Sequence, residues 1–395
     1  MIVTTASRKS WGPSTLAVHA GNGPDPATGA VMTPIYATST FVQSAPGVTT
    51  GWEYARSGNP TRADFERALA DVEGGSAGFA FASGLAAEAT VLDLLAHGSH
   101  VITSQGLYGG TWRLLHRVRN HSANLSVTHV DASDASDPAA LEAALTPRTA
   151  MVWVETPGNP LLDIVDLDAI AAFARGHGLL SVVDNTFASP AVQRPLEHGV
   201  DIVVHSATKY IGGHSDIIAG AVVVGDNAEL ATRLGFLQNA VGAVLDPFQS
   251  FLARRGLLTL PLRIERHAAN ALKVARFLDT HPRIERVLYP GLQNHPGHSL
   301  AMRQMANGGG MVAAFLKGDA TAVASFLQRL RLFRLAESLG GVESLVGQPW
   351  TMSHGSVAEE HRLAIGITPQ LVRLSVGIED ADDLIADLDA ALNCA

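Results

Sequence analysis

Short apolar runs alternate with stretches of helical spacing through the middle of the chain, and this alternation restricts the possible fold more than any other feature. The clearest apolar run is 150–155 (AMVWVE), and the clearest amphipathic stretch is 167–175, which ends before Gly176. Similar apolar runs lie at 100–103, 125–130, 179–183, 201–204 and 219–224, with helical spacing at 62–73, 83–96 and 111–118. Strands that alternate with helices are typical of βαβ units, in which helices cover both faces of a parallel sheet. The pattern therefore predicts an α/β fold with a mostly parallel sheet.

The two ends of the chain differ from this middle region. Residues 1–58 are rich in Gly, Pro, Ser and Thr without a sustained period, which is unusual inside a compact domain. They predict an N-terminal arm that wraps a surface or a neighbouring subunit. Residues 59–246 are expected to form the large domain. Residues 247–395 predict a smaller C-terminal α+β domain, with helices at 247–260, 262–279 and 320–330 and strands at 311–316 and 371–376.

Charge and cysteine content exclude several classes of protein. The formal net charge is −9, and an acidic chain without a basic run is a poor binder of nucleic acid or of anionic membranes. The single cysteine, Cys394, can form neither an internal disulfide nor a paired-thiolate metal site. The longest mostly apolar run, 217–224, is far shorter than the ~20 residues that span a bilayer. Since the N-terminus also lacks the apolar core of a signal peptide, we expect a cytoplasmic protein.

Several functional motifs are missing from the sequence. It contains no GxGxxG and no GxxxxGK[ST], which disfavours a Rossmann-type oxidoreductase and a P-loop enzyme. It also lacks HExxH, and the nearest histidine pair, His295 and His298, lies in a Pro/Gly-rich loop. We therefore expect no metal site.

Reactive side chains follow two of the predicted strands. Asp184 comes directly after the run 179–183, and Lys209 follows the run 201–204 by way of Ser206 and Thr208. Ligands of open α/β sheets bind beyond the carboxyl ends of the strands, so a carboxylate and an amine would meet at one edge. Taken alone, the lysine would be a solvated loop residue and the acid a helix cap. Together they suit pyridoxal phosphate, which needs a lysine for its Schiff base and an acid at its pyridine nitrogen.

A phosphate site is predicted where Ser83, Gly84 and Leu85 open a helix. Free N–H groups and the positive end of the helix dipole favour an anion at such a position. The alternative interpretation is an ordinary capped helix.

Eight segments together carry a resemblance to a known family. They are EYARSGNPTR (53–62), ASGLAA (82–87), LYGGT (107–111), ETPGNPLL (155–162), VVDNTFASP (182–190), HSATKYIGGHSD (205–216), AESLGGVESL (336–345) and VRLSVGIED (372–380). On these segments the chain resembles the Cys/Met-metabolism family of fold-type I pyridoxal-phosphate enzymes. That family includes cystathionine γ-synthase, cystathionine γ-lyase, cystathionine β-lyase and methionine γ-lyase. The resemblance implies a fold-type I α/β architecture, pyridoxal 5'-phosphate as the cofactor and a small amino acid as the substrate.

The resemblance also implies roles at the cofactor. Lys209 is similar to the Schiff-base lysine, Asp184 to the partner of the pyridine nitrogen, and Tyr108 to the tyrosine that stacks on the ring and exchanges protons with the leaving group. Proton exchange by a tyrosine would need a pKa below its usual value of ~10, lowered by cations such as Arg56 and the aldimine of the cofactor. The phosphate would be held by Ser83, Gly84 and Leu85 at the helix start and by Ser206 and Thr208 in the lysine loop, residues 206–209. Tyr54 and Arg56 would reach it from a neighbouring subunit.

At the substrate, the resemblance implies that Arg373 binds the α-carboxylate as a bidentate fork, aided by Asn159 and Ser338. Glu337 matches an acid of cystathionine γ-synthases and γ-lyases that can pair with the distal amino group of cystathionine. The implied assembly is a homotetramer, a dimer of dimers with active sites shared between subunits.

Other positions bear on the reaction through the same resemblance. Gly110 stands where methionine γ-lyases usually carry cysteine, and Leu339 stands where many cystathionine β-lyases carry tryptophan. Gly347 and Trp350 depart from the family pattern, and Trp350 either reshapes the substrate entrance or packs on the outer face of the small domain. The expected reaction is γ-elimination of cystathionine to cysteine, 2-oxobutyrate and ammonia. The alternatives are cystathionine γ-synthase and a γ-lyase that acts on methionine or canavanine.

Overall fold

The chain forms two β-sheets, and the computed structural model describes residues 11–21, 23–131, 136–355 and 357–393. The strands of the large sheet are β1 Ala77–Phe81, β2 His100–Ser104, β3 Ser126–Val130, β4 Thr149–Glu155, β5 Leu180–Asp184, β6 Ile202–Ser206 and β7 Gly220–Val224. Their order in the sheet is β1-β7-β6-β5-β4-β2-β3. Parallel pairing joins β3, β2, β4, β5 and β6, in that order across the sheet, whereas β7 is antiparallel to both of its neighbours, β6 and β1. The sheet is therefore mostly parallel, which confirms the predicted fold class.

Helices cover both faces of this sheet. They are α1 Pro13–His19, α2 Pro60–Glu73, α3 Gly84–Leu92, α4 Gly109–Arg113, α5 Asn120–Ala123, α6 Pro138–Ala143, α7 Leu167–His177 and α8 Ala228–Val241, with a π-helical turn at Leu114–Arg119 and a 3₁₀ turn at Pro195–His198. Successive side chains of a strand point to opposite faces. In β4, Met151 and Trp153 accordingly pack in the apolar cluster that contains residues of α3 and α8, while Val152 and Val154 pack in the cluster with α7.

A second sheet forms the smaller C-terminal domain. Its strands are β8 Ile284–Leu288, β9 Met311–Leu316, β10 Arg334–Leu335, β11 Leu345–Gly347 and β12 Leu371–Ser375, in the order β10-β11-β12-β9-β8. The helices that follow the large sheet in the chain are α9 Pro247–Leu258, which packs with α2, and then α10 Leu260–Thr280, α11 His298–Gln304, α12 Ala320–Arg329, α13 Glu359–Ala364 and α14 Ala381–Asn393. Residues of α10, α12 and α14 share one apolar cluster with this sheet. Among the described helices, none combines the length and apolar content needed to cross a membrane.

The structure also differs from the predicted pattern in places. Helix α1 lies inside the segment expected to be irregular, and it buries Leu16 and Ala17. Strand β1 is missing from the prediction because its Gly78 interrupts the apolar run. A Cβ at Gly78 would lie 2.2 Å from the Glu66 carbonyl oxygen, so glycine is what allows α2 to pack on β1. The domain boundaries at residues 58 and 246 stay predictions, and Cys394 lies outside the described residues.

Candidate active site

The carboxyl ends of β5 and β6 bring Asp184 and the lysine loop to one edge of the large sheet. The two strands are parallel neighbours, and Asp184 pairs in register with Val204, two residues before the end of β6. The Asp184 carboxylate is buried and accepts a hydrogen bond of 2.9 Å from the Thr186 amide. The Thr186 hydroxyl in turn accepts a 2.9 Å bond from the Ser206 amide, which ties the two strand ends together.

Lys209 is half-buried at this edge and contacts the C-terminal domain. Its Nζ donates a 2.7 Å hydrogen bond to the hydroxyl of Ser338, which lies between β10 and β11. Ser338 has a φ of +92°, a left-handed conformation that a non-glycine residue adopts at a cost. Burial, with the nearby Arg373 charge, lowers the pKa of Lys209 to about 8. The amine can therefore exchange a proton near neutral pH far more readily than an exposed lysine.

Arg373 lies on β12 and faces the same lysine loop. Its guanidinium is buried, donating a 2.7 Å hydrogen bond to the Asn159 side-chain oxygen and a 3.4 Å bond to the Ser338 carbonyl. No described carboxylate forms an ion pair with it. Burial lowers the pKa of Arg373, and the charge of Glu337 opposes this shift. The site thus holds a buried, oriented cation whose remaining donors suit a carboxylate.

Tyr108 closes another side of the site. Its backbone amide donates a 2.7 Å hydrogen bond to the Glu155 carboxyl at the end of β4. Its ring lies over Gly110, where a Cβ would be only 2.3 Å from the Tyr108 Cε1 atom. Any side chain at residue 110 would therefore displace the ring, so Gly110 also sets the position of Tyr108.

The expectation that Arg56 of a neighbouring subunit and the bound cofactor lower the pKa of Tyr108 stays a prediction. Burial raises the pKa of Tyr108, with Arg113 as the main opposing charge. The Arg56 guanidinium instead donates hydrogen bonds to Asn239, at 2.7 Å to the carbonyl oxygen and 3.1 Å to the side-chain oxygen. Tyr108 is therefore a protonated group, suited to donating rather than accepting a proton.

The predicted phosphate residues lie where α3 begins against the end of β6. Ser83 caps α3 by accepting a 3.1 Å hydrogen bond from the Ala86 amide. A Cβ at Gly84 would lie 3.0 Å from the Ser206 Cβ, so the start of α3 and the end of β6 approach each other closely here. Leu85 belongs to the first turn of the helix. The Thr208 hydroxyl is engaged elsewhere, since it donates to the Ala219 carbonyl and accepts from the Ala219 amide.

Tyr54 and Arg56, the other two residues predicted at the phosphate, make no hydrogen bond to this group within the described chain. Tyr54 is 47% exposed, and the Arg56 guanidinium carbon lies 5.6 Å from its ring centroid. Among the described residues, neither makes a hydrogen bond to the lysine loop or to the start of α3. If Tyr54 and Arg56 contact a phosphate, they would therefore do so from the protein surface, at the site of a neighbouring subunit.

A shallow groove leads to Arg373 between β11 and the segment that follows it. It is lined by Ala336, Glu337, Gly347, Gln348, Pro349, Met352, Ser353 and Arg373. Glu337 is exposed there, and its charge acts on Lys209, Tyr108 and Arg373. Trp350 does not line this groove. The Arg362 guanidinium carbon lies 3.9 Å from its ring centroid, and Trp350 packs against the apolar cluster that contains Leu162 and Ile367. Both alternatives for Trp350 stay predictions.

Two buried carboxyl groups of the site were missed at the sequence level. Glu155 ends β4, and the strand-end rule that found Asp184 applies to it equally. Glu88 lies inside α3, where an acid at a helical position gives no signal. Both are 4% exposed, and burial raises the pKa of each well above its ordinary value.

A histidine pair beside the Tyr108 segment predicts a pH effect on stability. The Nε2 atoms of His116 and His129 lie 2.7 Å apart, and His129 also bonds the Thr103 hydroxyl at 2.6 Å. Burial lowers the pKa of His129 to about 4. Between pH 6.5 and 4 the unfolded state therefore binds more protons, so this residue makes stability fall as the pH falls.

His129→Gln should reduce the change in the free energy of unfolding between pH 6.5 and 4 by at most about 3 kcal/mol, measured by urea titration. The exposed His121→Gln is the matched control, and an unchanged slope in His129→Gln would contradict the prediction.

A family model described as "Cys/Met metabolism PLP-dependent enzyme" matches residues 14–393. The cystathionine beta-lyase of Coxiella burnetii is 53% identical over 390 residues, covering 99% of this chain and all of that protein. The cystathionine gamma-synthase of Mycobacterium leprae is 51% identical over 384 residues, covering 97% of each. The crystal structure of cystathionine gamma-lyase from Lactobacillus plantarum, complexed with L-serine, superposes with a TM-score of 0.93 at 46% identity, covering 97% of this chain and 99% of that one. These three proteins are named for three different reactions, although each is between 46% and 53% identical to this chain.

Proposed function

Because the chain belongs to the Cys/Met-metabolism family of pyridoxal-phosphate-dependent enzymes, we propose that it catalyses γ-elimination of cystathionine to cysteine, 2-oxobutyrate and ammonia, with water consumed. The observation that carries this proposal is the position of Glu337. It is an exposed acid in the groove that leads to the buried Arg373, beside Lys209 and Tyr108. A substrate with a carboxylate at one end and a second amino group at the other matches this arrangement of charges.

The residues present fit pyridoxal phosphate. The start of α3 approaches Ser206 so closely that a Cβ at Gly84 would fill the space between them, which suits a phosphate held by backbone amides. Lys209 would bind the cofactor covalently, Asp184 would face the ring nitrogen, and the amides of Gly84 and Leu85 with the Ser206 hydroxyl would hold the phosphate. When bound, the cofactor supplies an electron sink for negative charge at the substrate Cα.

The chain's own residues then divide the remaining work. Arg373, itself oriented by Asn159, would fix the substrate α-carboxylate. Lys209, with a pKa of about 8, would remove the proton at Cα, and the Ser338 hydroxyl holds its amine in place. Tyr108 stays protonated because burial raises its pKa, so it can donate a proton to the departing sulfur. Glu337 would bind the distal ammonium group.

We also propose that the protein assembles as a homotetramer. A homotetramer in which Tyr54 and Arg56 complete the phosphate site of a neighbouring subunit is supported by the exposure of Tyr54. Cystathionine γ-synthase is the second candidate function, because Glu337 would recognise the product of that reaction in the same groove.

A substrate panel on the purified holoenzyme tests the reaction. We expect 2-oxobutyrate to be released from cystathionine without added thiol, identified by chromatography that separates it from pyruvate. Pyruvate and homocysteine would instead mean β-elimination, and faster formation of cystathionine from an acylated homoserine plus cysteine would mean the synthase; either outcome overturns the proposal.

Glu337→Gln is the matched variant for this panel. It should raise KM for cystathionine about tenfold, since one charge-assisted contact is worth about 1.4 kcal/mol. It should leave KM for methionine, which has no distal amine, within about twofold. Equal effects on both substrates would contradict the assigned role of Glu337.

A further inference from the structure

The turn that carries Lys209 leaves two buried carbonyl groups without a backbone partner. Residues 207–212 form this turn directly after β6, and the Gly213 amide closes it with a 2.7 Å hydrogen bond to the Lys209 carbonyl. Among the described backbone amides, none donates to the carbonyl oxygens of Tyr210 and Ile211. Buried acceptors of this kind need other donors, as the last carbonyls of a helix do.

Arg263, in the first turn of α10, supplies these donors. Its Nη1 atom donates a 2.7 Å hydrogen bond to the Tyr210 carbonyl, and its Nη2 atom donates one of 3.4 Å to the Ile211 carbonyl. Nη2 also donates at 2.7 Å to the Gly256 carbonyl in α9, and Nε donates at 3.2 Å to the Thr259 hydroxyl. One planar guanidinium therefore joins the turn to the junction of α9 and α10.

The burial of Arg263 makes these hydrogen bonds costly to lose. The side chain is 5% exposed, and no carboxylate of the described residues forms an ion pair with it. A buried charge costs free energy unless hydrogen bonds compensate for the lost water. Here the compensating acceptors are mainly backbone oxygens, so the guanidinium and the turn fix each other's position.

Two glycines give the guanidinium and α9 direct access to the backbone of the turn. Gly213 has a φ of +70°, and a Cβ there would lie 2.0 Å from the Arg263 Nη1 atom. A Cβ at Gly256 would lie 2.5 Å from the Ile211 carbonyl oxygen. Side chains at these two positions would push Arg263 and α9 away from the turn.

The same turn is tied to the segment that contacts the Lys209 amine. The Gly213 carbonyl accepts a 3.0 Å hydrogen bond from the Val342 amide, four residues after Ser338. The Lys209 Nζ atom donates its 2.7 Å bond to the Ser338 hydroxyl. A shift of the turn would therefore move the amine relative to Ser338, whereas the hydrogen bonds of Arg263 act on the backbone alone.

We propose that Arg263 is a positioning residue for Lys209, which holds the end of the turn 207–212 and so fixes the direction in which the amine points. This inference rests on the proposed attachment of the cofactor to Lys209, and not on which substrate the enzyme uses. Lysine at residue 263 would keep the positive charge, but it lacks the planar fork that reaches the turn and α9 together.

The experiment compares Arg263→Lys with the matched control Arg254→Lys. Arg254, in α9, is also buried, and it donates to the carbonyls of Ala17 and Ala20 at the end of α1. Both variants should lower Tm, because each leaves buried carbonyls without a donor. Only Arg263→Lys should raise the Kd for pyridoxal phosphate, by about tenfold, and weaken the visible absorbance of the lysine-bound cofactor at saturation.

Thr259→Val is a milder second variant, because it keeps Arg263 and removes only the acceptor of its Nε atom. Its Kd for pyridoxal phosphate should rise about threefold. If Arg263→Lys does not fold, the Kd of Thr259→Val decides the outcome.

Two results would overturn the inference. One is a Kd and an absorbance that stay at the wild-type values in Arg263→Lys, which would mean that Arg263 only stabilises the fold. The other is an equal change in Arg254→Lys, which would mean that general destabilisation weakens cofactor binding. Neither readout needs turnover. A wild-type protein whose cofactor is not attached to Lys209 would instead refute the proposed function, so the two failures are distinct.

Discussion

Lys209→Ala should lower turnover by at least about 10³-fold and abolish the visible absorbance of the lysine-bound cofactor. The reason is that one amine has two tasks, the covalent attachment of the cofactor and proton transfer at Cα, and general acid–base catalysis alone contributes about 10²–10⁴-fold. Lys209 has the burial and the lowered pKa, about 8, that both tasks require. Steady-state turnover of cystathionine and an absorbance spectrum of the purified protein measure the two effects.

The small number of lysines makes the control unusually clean. The sequence contains four, Lys9, Lys209, Lys273 and Lys317. Lys273 and Lys317 are exposed, and Lys9 lies outside the described residues. Lys273→Ala should keep both the absorbance and the activity of wild type. Borohydride reduction followed by peptide mapping should find the cofactor on Lys209, and a label on any other lysine would refute the assignment.

The part of the site that lies on one sheet could be predicted from the sequence. Alternating strands and helices imply parallel strands with a shared carboxyl edge, and this rule alone placed Asp184 and Lys209 together. The same rule applied to β4 would have found Glu155. These are local inferences, since each needs only the strand that precedes the residue.

The rest depends on contacts between distant parts of the chain, which periodicity does not report. The hydrogen bond from Lys209 to Ser338 spans 129 residues, and that from Arg373 to Asn159 spans 214. Only the resemblance to a family suggested those partners. The burial that raises the pKa of Tyr108 comes from tertiary packing, which the sequence pattern does not report. Glu88 gave no signal because a single acid in a helix is ordinarily an exposed one.

Arg373→Lys should raise KM for cystathionine about 10²-fold while changing kcat much less. Lysine keeps the positive charge but loses the planar fork, and two hydrogen bonds to a charged group are together worth about 3 kcal/mol. The α-carboxylate does not react, so its contact stabilises the bound substrate and the transition state alike, and the loss falls on KM.

The matched control for this variant is Arg266→Lys, at an arginine that is exposed and pairs with Asp380 on the surface, and it should leave KM unchanged. A second comparison uses cystathionine with its α-carboxylate converted to an amide. Wild type and Arg373→Lys should process this amide with similar KM values, because neither enzyme can form the paired contact that the variant lacks. If Arg373→Lys instead lowers kcat and leaves KM intact, Arg373 acts on the reacting atoms and not on the carboxylate. The cofactor absorbance of the variant should match that of wild type, since Arg373 bonds Asn159 and Ser338, whereas Asp184 and the start of α3 hold their own partners without it.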